Sequence, residues 1–276
     1  MRFDHSLPLL LRAAGLPRST FYYRVKAMEA SDKYAELKAC IRQIFEHHQG
    51  RYGYRRITLA LKRSGKPTNH KTVQRLMQML GLASLVRPKR YRSYRGPVGT
   101  IAPNLLDRQF QAQWPNQKWV TDITEFNVKG HKLYLSPIMD LCNGEIVAYQ
   151  TGRQPVFALV ADMLRKAFAR LGPSDKPQLH SDQGWQYQHP TYRHLLTSHA
   201  ITQSMSRKGN CLDNAAMESF FGTLKAEYFY LNRFDSVEQL QEGIDHYIQY
   251  YNHERIKLKL KGLSPVQYRT QALSTA

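Results

Sequence analysis

A chain of 276 residues, 42% hydrophobic and 22% charged, has the make-up of a folded protein with room for two domains, which excludes wholesale disorder and fibrous or low-complexity architectures. No apolar run approaches the roughly 20 residues of a membrane helix, the N-terminus lacks the apolar stretch of a secretory leader, and three scattered cysteines (Cys40, Cys142, Cys211) support neither a disulfide framework nor a cysteine-rich zinc site, so the chain is expected in the cytoplasm. The net charge of +19 is uneven: residues 1–100 hold 21 basic and five acidic side chains, net +16, against 19 basic and 16 acidic, net +3, in the remainder.

Such an excess at one end suits a polyanionic partner, nucleic acid first, although a ribosome or an anionic membrane would attract the same charge. In chain order, an apolar helix over Leu7–Ala14, the breaker Gly15-Leu16-Pro17 and Ser19-Thr20 as N-caps before Phe21 predict a partial helix-turn-helix in residues 1–30. Residues 31–86 predict three further helices: Tyr34–His48, Tyr54 to about Arg63, and one capped by Asn69 that ends at Gly81. The last presents Val73, Leu76, Met77 and Leu80 on one face and Lys71, Gln74, Arg75 and Gln78 on the other. A basic, amide-rich third helix can reach phosphates and base edges; alone it reads as a solvated face, and the surrounding charge favours DNA.

Residues 87–115 form a linker in which Arg90 and Arg92 alternate with Tyr91 and Tyr94, either to follow a nucleic-acid backbone or as a solvated tether. From residue 116 the pattern turns to strands: Trp119–Phe126, Lys132–Met139 and Glu145–Thr151, then a helix opened by Pro155, a strand Gln178–Asp182, a helix near Tyr192–Ser198, a strand Ile201–Met205 and a long helix from Asp213 to Tyr230. This βββαβαβα order suits a mixed α/β sheet of the ribonuclease H-like kind over residues 116–231, among several α/β folds. Residues 232–276 predict a short helical C-terminal tail, with capping boxes at Ser236/Gln239 and Ser264/Gln267.

Asp122 interrupts an apolar, Thr-rich strand, Asp182 ends another, and Glu218 lies on the long helix with 35 residues between it and Asp182. Three carboxylates on two strands and a helix can converge, and an all-oxygen site favours Mg²⁺ or Mn²⁺; two such ions suit phosphoryl transfer. Asn214, Glu218 and Lys225 fall near one helix face, so an amide and a cation would flank the glutamate. Singly, each acid also reads as ordinary: Asp122 as a strand end, Asp182 as an Asx turn before Gly184, Glu218 as a solvated helix position. His180, two residues before Asp182, supports the site or simply packs. His47-His48 reads as exposed. Gly65-Lys66 lacks the earlier glycine of a P-loop, so no nucleotide cofactor is expected.

Trp119-Val120-Thr121-Asp122-Ile123-Thr124, His180-Ser181-Asp182-Gln183-Gly184 and the run NCLDNAAMESFF over residues 210–221 together resemble the DDE transposases of bacterial insertion sequences, more narrowly the second-reading-frame catalytic product whose core is similar to retroviral integrase. Arg51-Tyr52-Gly53-Tyr54-Arg55-Arg56-Ile57, Tyr250-Tyr251-Asn252 and Leu263-Ser264-Pro265 extend the likeness along nearly the whole chain. The resemblance implies Asp122, Asp182 and Glu218 as the metal-binding catalytic triad, Lys225 as a phosphate-contacting base, and two Mg²⁺ ions, replaceable by Mn²⁺. It implies double-stranded DNA (element terminal repeats and target) as partner, a dimer or higher assembly on that DNA, association with the nucleoid and an upstream-frame partner protein. The activity implied is cleavage at an element end and joining of the 3′-OH to another DNA phosphate; a ribonuclease H-like nuclease without joining and a catalytically silent DNA-binding regulator are the alternatives. Where the family often places Pro-His after Arg255, this chain has Ile256-Lys257 and a Lys-rich run.

Overall fold

Apolar residues at helical spacing govern the basic third of the chain. The computed structural model describes residues 5–29, 32–86, 102–107, 109–207 and 211–274, and the chain divides into two compact units at Ala83/Ser84. The described part of the first unit comprises α1 (Leu7–Ala13), α2 (Arg18–Glu29), α3 (Ala35–His47), α4 (Tyr54–Arg63) and α5 (His70–Met79). Helix α2 begins at Arg18, so Ser19 and Thr20 lie inside its first turn and do not cap it, contrary to the expectation from sequence.

Helices α3, α4 and α5 close on Ile41, Tyr52, Ile57, Leu61, Val73, Leu76 and Met77, all buried. Asn69 caps α5 by accepting the Lys71 N–H at 2.8 Å, as its position predicts. His48 departs from expectation: it is buried, its ring stacked 3.8 Å from that of Tyr52, while the Arg56 guanidinium lies 5.3 Å from the same tyrosine ring. The Arg51–Ile57 motif is thus largely a packing device at the corner between α3 and α4.

The second unit contains β1 (Lys118–Thr121), β2 (Thr124–Val128), β3 (His131–Asp140), β4 (Ile146–Gly152), α6 (Phe157–Phe168), β5 (Gln178–Ser181), α7 (Pro190–Ser198), β6 (Thr202–Met205), α8 (Ala215–Glu227), α9 (Val237–His253) and α10 (Pro265–Ser274). Strand β3 pairs antiparallel with β4 on one side and with β1 and β2 in succession on the other. The sheet continues through the parallel pairs β1–β5 and β5–β6. This is a mixed, ribonuclease H-like sheet.

The single strand expected over Trp119–Phe126 is two strands, because Asp122 Oδ1 accepts the N–H of Ile123 at 2.7 Å and takes that residue out of the ladder. Pro155 precedes the N-cap Val156 and lies outside α6. Cys211–Asn214 form a turn of 3₁₀ helix ahead of the shorter α8. Among the described residues no helix is long and apolar enough to cross a membrane.

Strand alternation sends successive side chains to opposite faces. Val120, Phe126, Leu133, Leu135 and Met139 meet Met217, Phe220 and Leu224 of α8 and Leu240, Ile244 and Tyr247 of α9. Trp119, Ile138 and Leu179 meet Val160, Met163 and Leu164 of α6 and Leu196 of α7. Each fully buried aliphatic or aromatic side chain contributes about 1.5–3 kcal/mol, so the sheet is clamped from both sides.

The C-terminal helices belong to this core. Buried Glu227 accepts Arg255 Nε and Nη2, each at 2.7 Å, and the Tyr247 hydroxyl at 3.0 Å. Arg269 donates to Glu145 Oε2 at 2.9 Å and Asn116 Oδ1 at 3.1 Å. Gly243 lets α9 approach Tyr228: a Cβ there would overlap the tyrosine hydroxyl and lie 2.6 Å from ring carbon Cζ. Gly243→Ala is expected to destabilise the protein by about 1–3 kcal/mol, outweighing the roughly 1 kcal/mol that alanine gains in a helix. Urea unfolding checks this, and an unchanged or raised midpoint would contradict it.

Candidate active site

The parallel register sets the geometry of the candidate carboxylates. Val120 pairs with His180 across β1 and β5, and Asp122 and Asp182 each lie two residues further along. They therefore follow the carboxyl ends of two adjacent parallel strands, which run about 4.8 Å apart and end where open α/β sheets bind ligands. Each is half-buried. Each also has one oxygen tied to its own backbone: Asp122 Oδ1 accepts Ile123 N–H at 2.7 Å and Asp182 Oδ1 accepts Gly184 N–H at 2.9 Å. Neither Oδ2 takes a hydrogen bond from any described residue, and neither aspartate forms an ion pair among them.

Two unpaired carboxylates at this spacing repel. Burial first, then the charge of Asp182, holds the Asp122 carboxyl well above the usual carboxylate range. Burial raises Asp182 likewise. A hard divalent cation suits such a donor set, since it turns the repulsion into attraction and takes oxygen ligands.

Glu218 lies half-buried on α8, its carboxyl raised by burial, and its charge reaches Asp122 more weakly than that of Asp182. Among the described residues no three His, Cys, Asp or Glu side chains are drawn together tightly enough to hold one ion. The fold assembles the aspartate pair and leaves the glutamate standing off. Lys225 Nζ sits 5.2 Å from the Phe126 ring centroid. Burial lowers its pKa, and Glu125 and Asp122 act in the opposite sense. Buried Asn214 donates from Nδ2 to Thr121 O at 3.3 Å, joining the start of α8 to the residue before Asp122.

His180 is fully buried and belongs to the frame. Ser204 Oγ accepts the N–H groups of Leu105 and Leu106 at 2.9 and 3.2 Å. Its hydroxyl proton is therefore left for His180 Nδ1, 2.8 Å away. That places the imidazole proton on Nε2, toward the main chain of Asp213, and burial pushes the pKa down to about 4. The Asp213 carboxylate accepts Arg207 N–H and Nε and Asn104 Nδ2, each at 3.0 Å. One neutral histidine thus links β5, β6, the 104–106 segment and the approach to α8.

Of three neighbours of Asp182, the sequence reading named Gly184 as the end of an Asx turn, which the Gly184 N–H bond to Asp182 forms, and it did not single out Trp185 or Tyr187. A Cβ on Gly184 would come within 3.0 Å of Asp182 Oδ1 and 2.9 Å of Gln186 Cδ, so glycine keeps that carboxylate in place. Trp185 is 56% exposed, whereas Tyr187 is fully buried. A glycine-aromatic turn directly after a candidate acid was the available signal. On α5, Lys71, Gln74, Arg75 and Gln78 are all exposed, with the Arg75 guanidinium 5.4 Å from the Tyr34 ring. Arg90 and Arg92, and Asn210 of the third motif, lie outside the described residues. A cleft of about 540 Å³ borders β4, α6 and α9, and none of the three candidate carboxylates lines it.

The sequence matches the family described as Integrase core domain over residues 112–211 and again over 218–273, and that described as HTH-like domain over 32–90. It is 56% identical to the transposase InsK of insertion sequence element IS150 from Escherichia coli K12, over 98% of this chain and 96% of that protein. It is 60% identical to a transposase-like protein of Haemophilus influenzae, over 75% of this chain and 95% of the relative. Among solved structures, the HTLV-2 integrase catalytic core domain in complex with magnesium aligns with a TM-score of 0.46 at 19% identity, over 57% of this chain and 98% of that one.

The electrostatics make a prediction about stability. A carboxyl with a raised folded-state pKa holds its proton longer when folded, so stability falls as pH climbs from the ordinary carboxylate range through the folded value, then levels off. Asp182→Asn removes the repulsion. In EDTA at neutral pH it is expected to raise the melting temperature by roughly 2–4 °C, on the order of 1 kcal/mol, and to shrink the decline with pH. A lower melting temperature than wild type would contradict the repulsive pair.

Proposed function

Because the chain belongs to the transposases of bacterial insertion sequences, we propose that Asp122, Asp182 and Glu218 are the metal-binding carboxylates of a reaction that cleaves DNA at an element end and joins the freed 3′-OH to another DNA phosphate. The observation that carries this reading is the aspartate pair just past the ends of the adjacent parallel strands β1 and β5, each with one oxygen fixed by a backbone N–H and one left over. When bound, Mg²⁺, or Mn²⁺ in its place, as two ions in the complete site, would supply charge stabilisation to the attacking and leaving oxygens of an in-line displacement.

The chain's own residues supply position. Asp122 and Asp182 are set by the register of two parallel strands, and Glu218 completes the set from α8. Asn214 holds the start of that helix against Thr121. Lys225, restrained beside Phe126, keeps a positive charge near the pair for a substrate phosphate. His180, neutral and locked by Ser204, carries no proton in the reaction and acts through the frame.

DNA engagement follows from charge and exposure. Lys71, Gln74, Arg75 and Gln78 of α5 face solvent in the part of the chain with the highest positive charge, where counterion release favours binding to a duplex. Arg90 and Arg92 extend that basic track in sequence. Handling two element ends calls for a dimer or higher assembly on DNA, with an upstream-frame protein as further partner.

The test is an assay with labelled DNA from the ends of its own element, in Mg²⁺ and in Mn²⁺, separating nicked from joined products. Wild type is expected to give metal-dependent joining that Asp182→Asn reduces by more than about 100-fold. Cleavage without joining would support the nuclease reading, and DNA binding without either product would support the regulator.

A further inference from the structure

Strands β1, β5 and β6 are parallel and adjacent, so their carboxyl ends lie side by side along one edge of the sheet. Asp122 follows the first and Asp182 the second; Ser206 and Arg207 follow the third. The last two turns are tied together, because Ser206 N–H donates to Ser181 O and Gln183 Nε2 donates to Ser206 O, each at 2.9 Å. Arg207 therefore comes next in the row, one strand beyond Asp182. It carries positive charge on the β6 side of the carboxylates, as Lys225 does beside Phe126 of β2.

The Arg207 side chain is 51% exposed, yet its guanidinium is not free to turn. Nε donates to Asp213 Oδ2 at 3.0 Å, and Nη2 donates to Asp213 Oδ1 and to Asp107 Oδ1, each at 3.3 Å. Asp213 is itself fully buried and held by Arg207 N–H and Asn104 Nδ2, each at 3.0 Å. A buried carboxylate needs a cation, and Nε with Nη2 meets that need, which leaves Nη1 without a hydrogen bond to any described residue. A guanidinium fixed in advance has already lost its rotamer freedom, and its planar N–H groups match a phosphate. The need for such a group is local: residues 101–276 carry a net charge of only +3, and the three candidate carboxylates repel a DNA backbone, so a duplex is held there by placed cations.

We propose that Arg207, oriented by Asp213, binds a backbone phosphate of the element-end DNA close to the phosphate under attack, an inference that rests on reading the Asp122–Asp182 pair as the place of that attack. Asp213 acts through Arg207 and is a positioning residue. The contact is to the backbone and carries no base preference of its own, so it fixes the register of the strand across the carboxyl ends of β1, β5 and β6.

Full-length wild type, Arg207→Gln and the double variant Arg207→Gln/Asp213→Asn are titrated in EDTA, over a salt series, with labelled element-end duplexes that each carry one uncharged methylphosphonate at a different position around the cleavage site. The double variant leaves no buried carboxylate without its cation, and it decides the matter where thermal melting shows that Arg207→Gln alone is unfolded. Both variants are expected to bind unmodified DNA about 10-fold more weakly, with a salt slope shallower by about 1. A methylphosphonate close to the cleavage site is expected to weaken wild type by a similar factor and the variants by less than about 2-fold, the coupling of two groups in contact. Wild-type affinity and salt slope in a folded variant would overturn the proposal. So would variants as sensitive as wild type to every methylphosphonate, which is the outcome of a purely structural role. Either result leaves the carboxylate site standing where Asp182→Asn still loses joining in Mn²⁺. Joining by Asp182→Asn at the wild-type rate would instead overturn the site reading, and this inference with it.

Discussion

Two like charges just past the ends of adjacent parallel strands, without a cation hydrogen-bonded to either, are the constraint around which the second unit is organised. The aspartate side chains do not choose this arrangement: the β1–β5 register imposes it, and the register is imposed by packing on both faces of the sheet. Repulsion at the ends of β1 and β5 is small beside the burial of Val120, Trp119, Leu179 and the helices that cover them. The fold can therefore hold a locally unfavourable pair, and a ligand that neutralises it is bound by relief of that repulsion as well as by coordination.

Several contacts keep the frame from relaxing. The Ile123 and Gly184 N–H groups pin one oxygen of each aspartate, and the glycine at 184 keeps a side chain from crowding the pinned Oδ1 of Asp182. The His180–Ser204 bond, with Leu105 and Leu106 N–H groups occupying the serine lone pairs, fixes β5 against β6. Asn214 ties α8 to β1, so Glu218 and Lys225 inherit their positions from the same strand that carries Asp122. At the far end of the sheet, Arg269, Glu145, Asn116 and Arg170 form a second polar knot that secures the C-terminal helix to the core. That knot is remote from the carboxylates and acts by keeping the sheet whole.

What was legible in the sequence was what short-range chemistry decides. The α5 stripe and its Asn69 cap are local periodicity and local hydrogen bonding, and so are the capping boxes at Ser236/Gln239 and Ser264/Gln267, where serine hydroxyls accept Gln239 N–H at 3.2 Å and Gln267 N–H at 3.4 Å. The three acids were singled out through their spacing and motifs, and their role is the one proposed above. The break between β1 and β2 was not, because one side-chain bond from Asp122 to the next amide overrides the strand propensity around it. Burial of His48 depends on Tyr52 folding back across a turn. The tautomer of His180 depends on amides 75 residues earlier in the chain, and the need for glycine at 243 depends on a tyrosine from another helix. Long-range contacts of this kind leave no periodic trace.

The most direct test of the central claim is an anomalous-difference map from crystals of the full chain soaked in Mn²⁺. The account predicts a peak at the ends of β1 and β5, coordinated by Asp122 Oδ2 and Asp182 Oδ2, with the Glu218 carboxylate drawn toward it, and no such peak in Asp182→Asn crystals. Well-ordered aspartates with no anomalous density between them, or a basic side chain bridging the two, would contradict it.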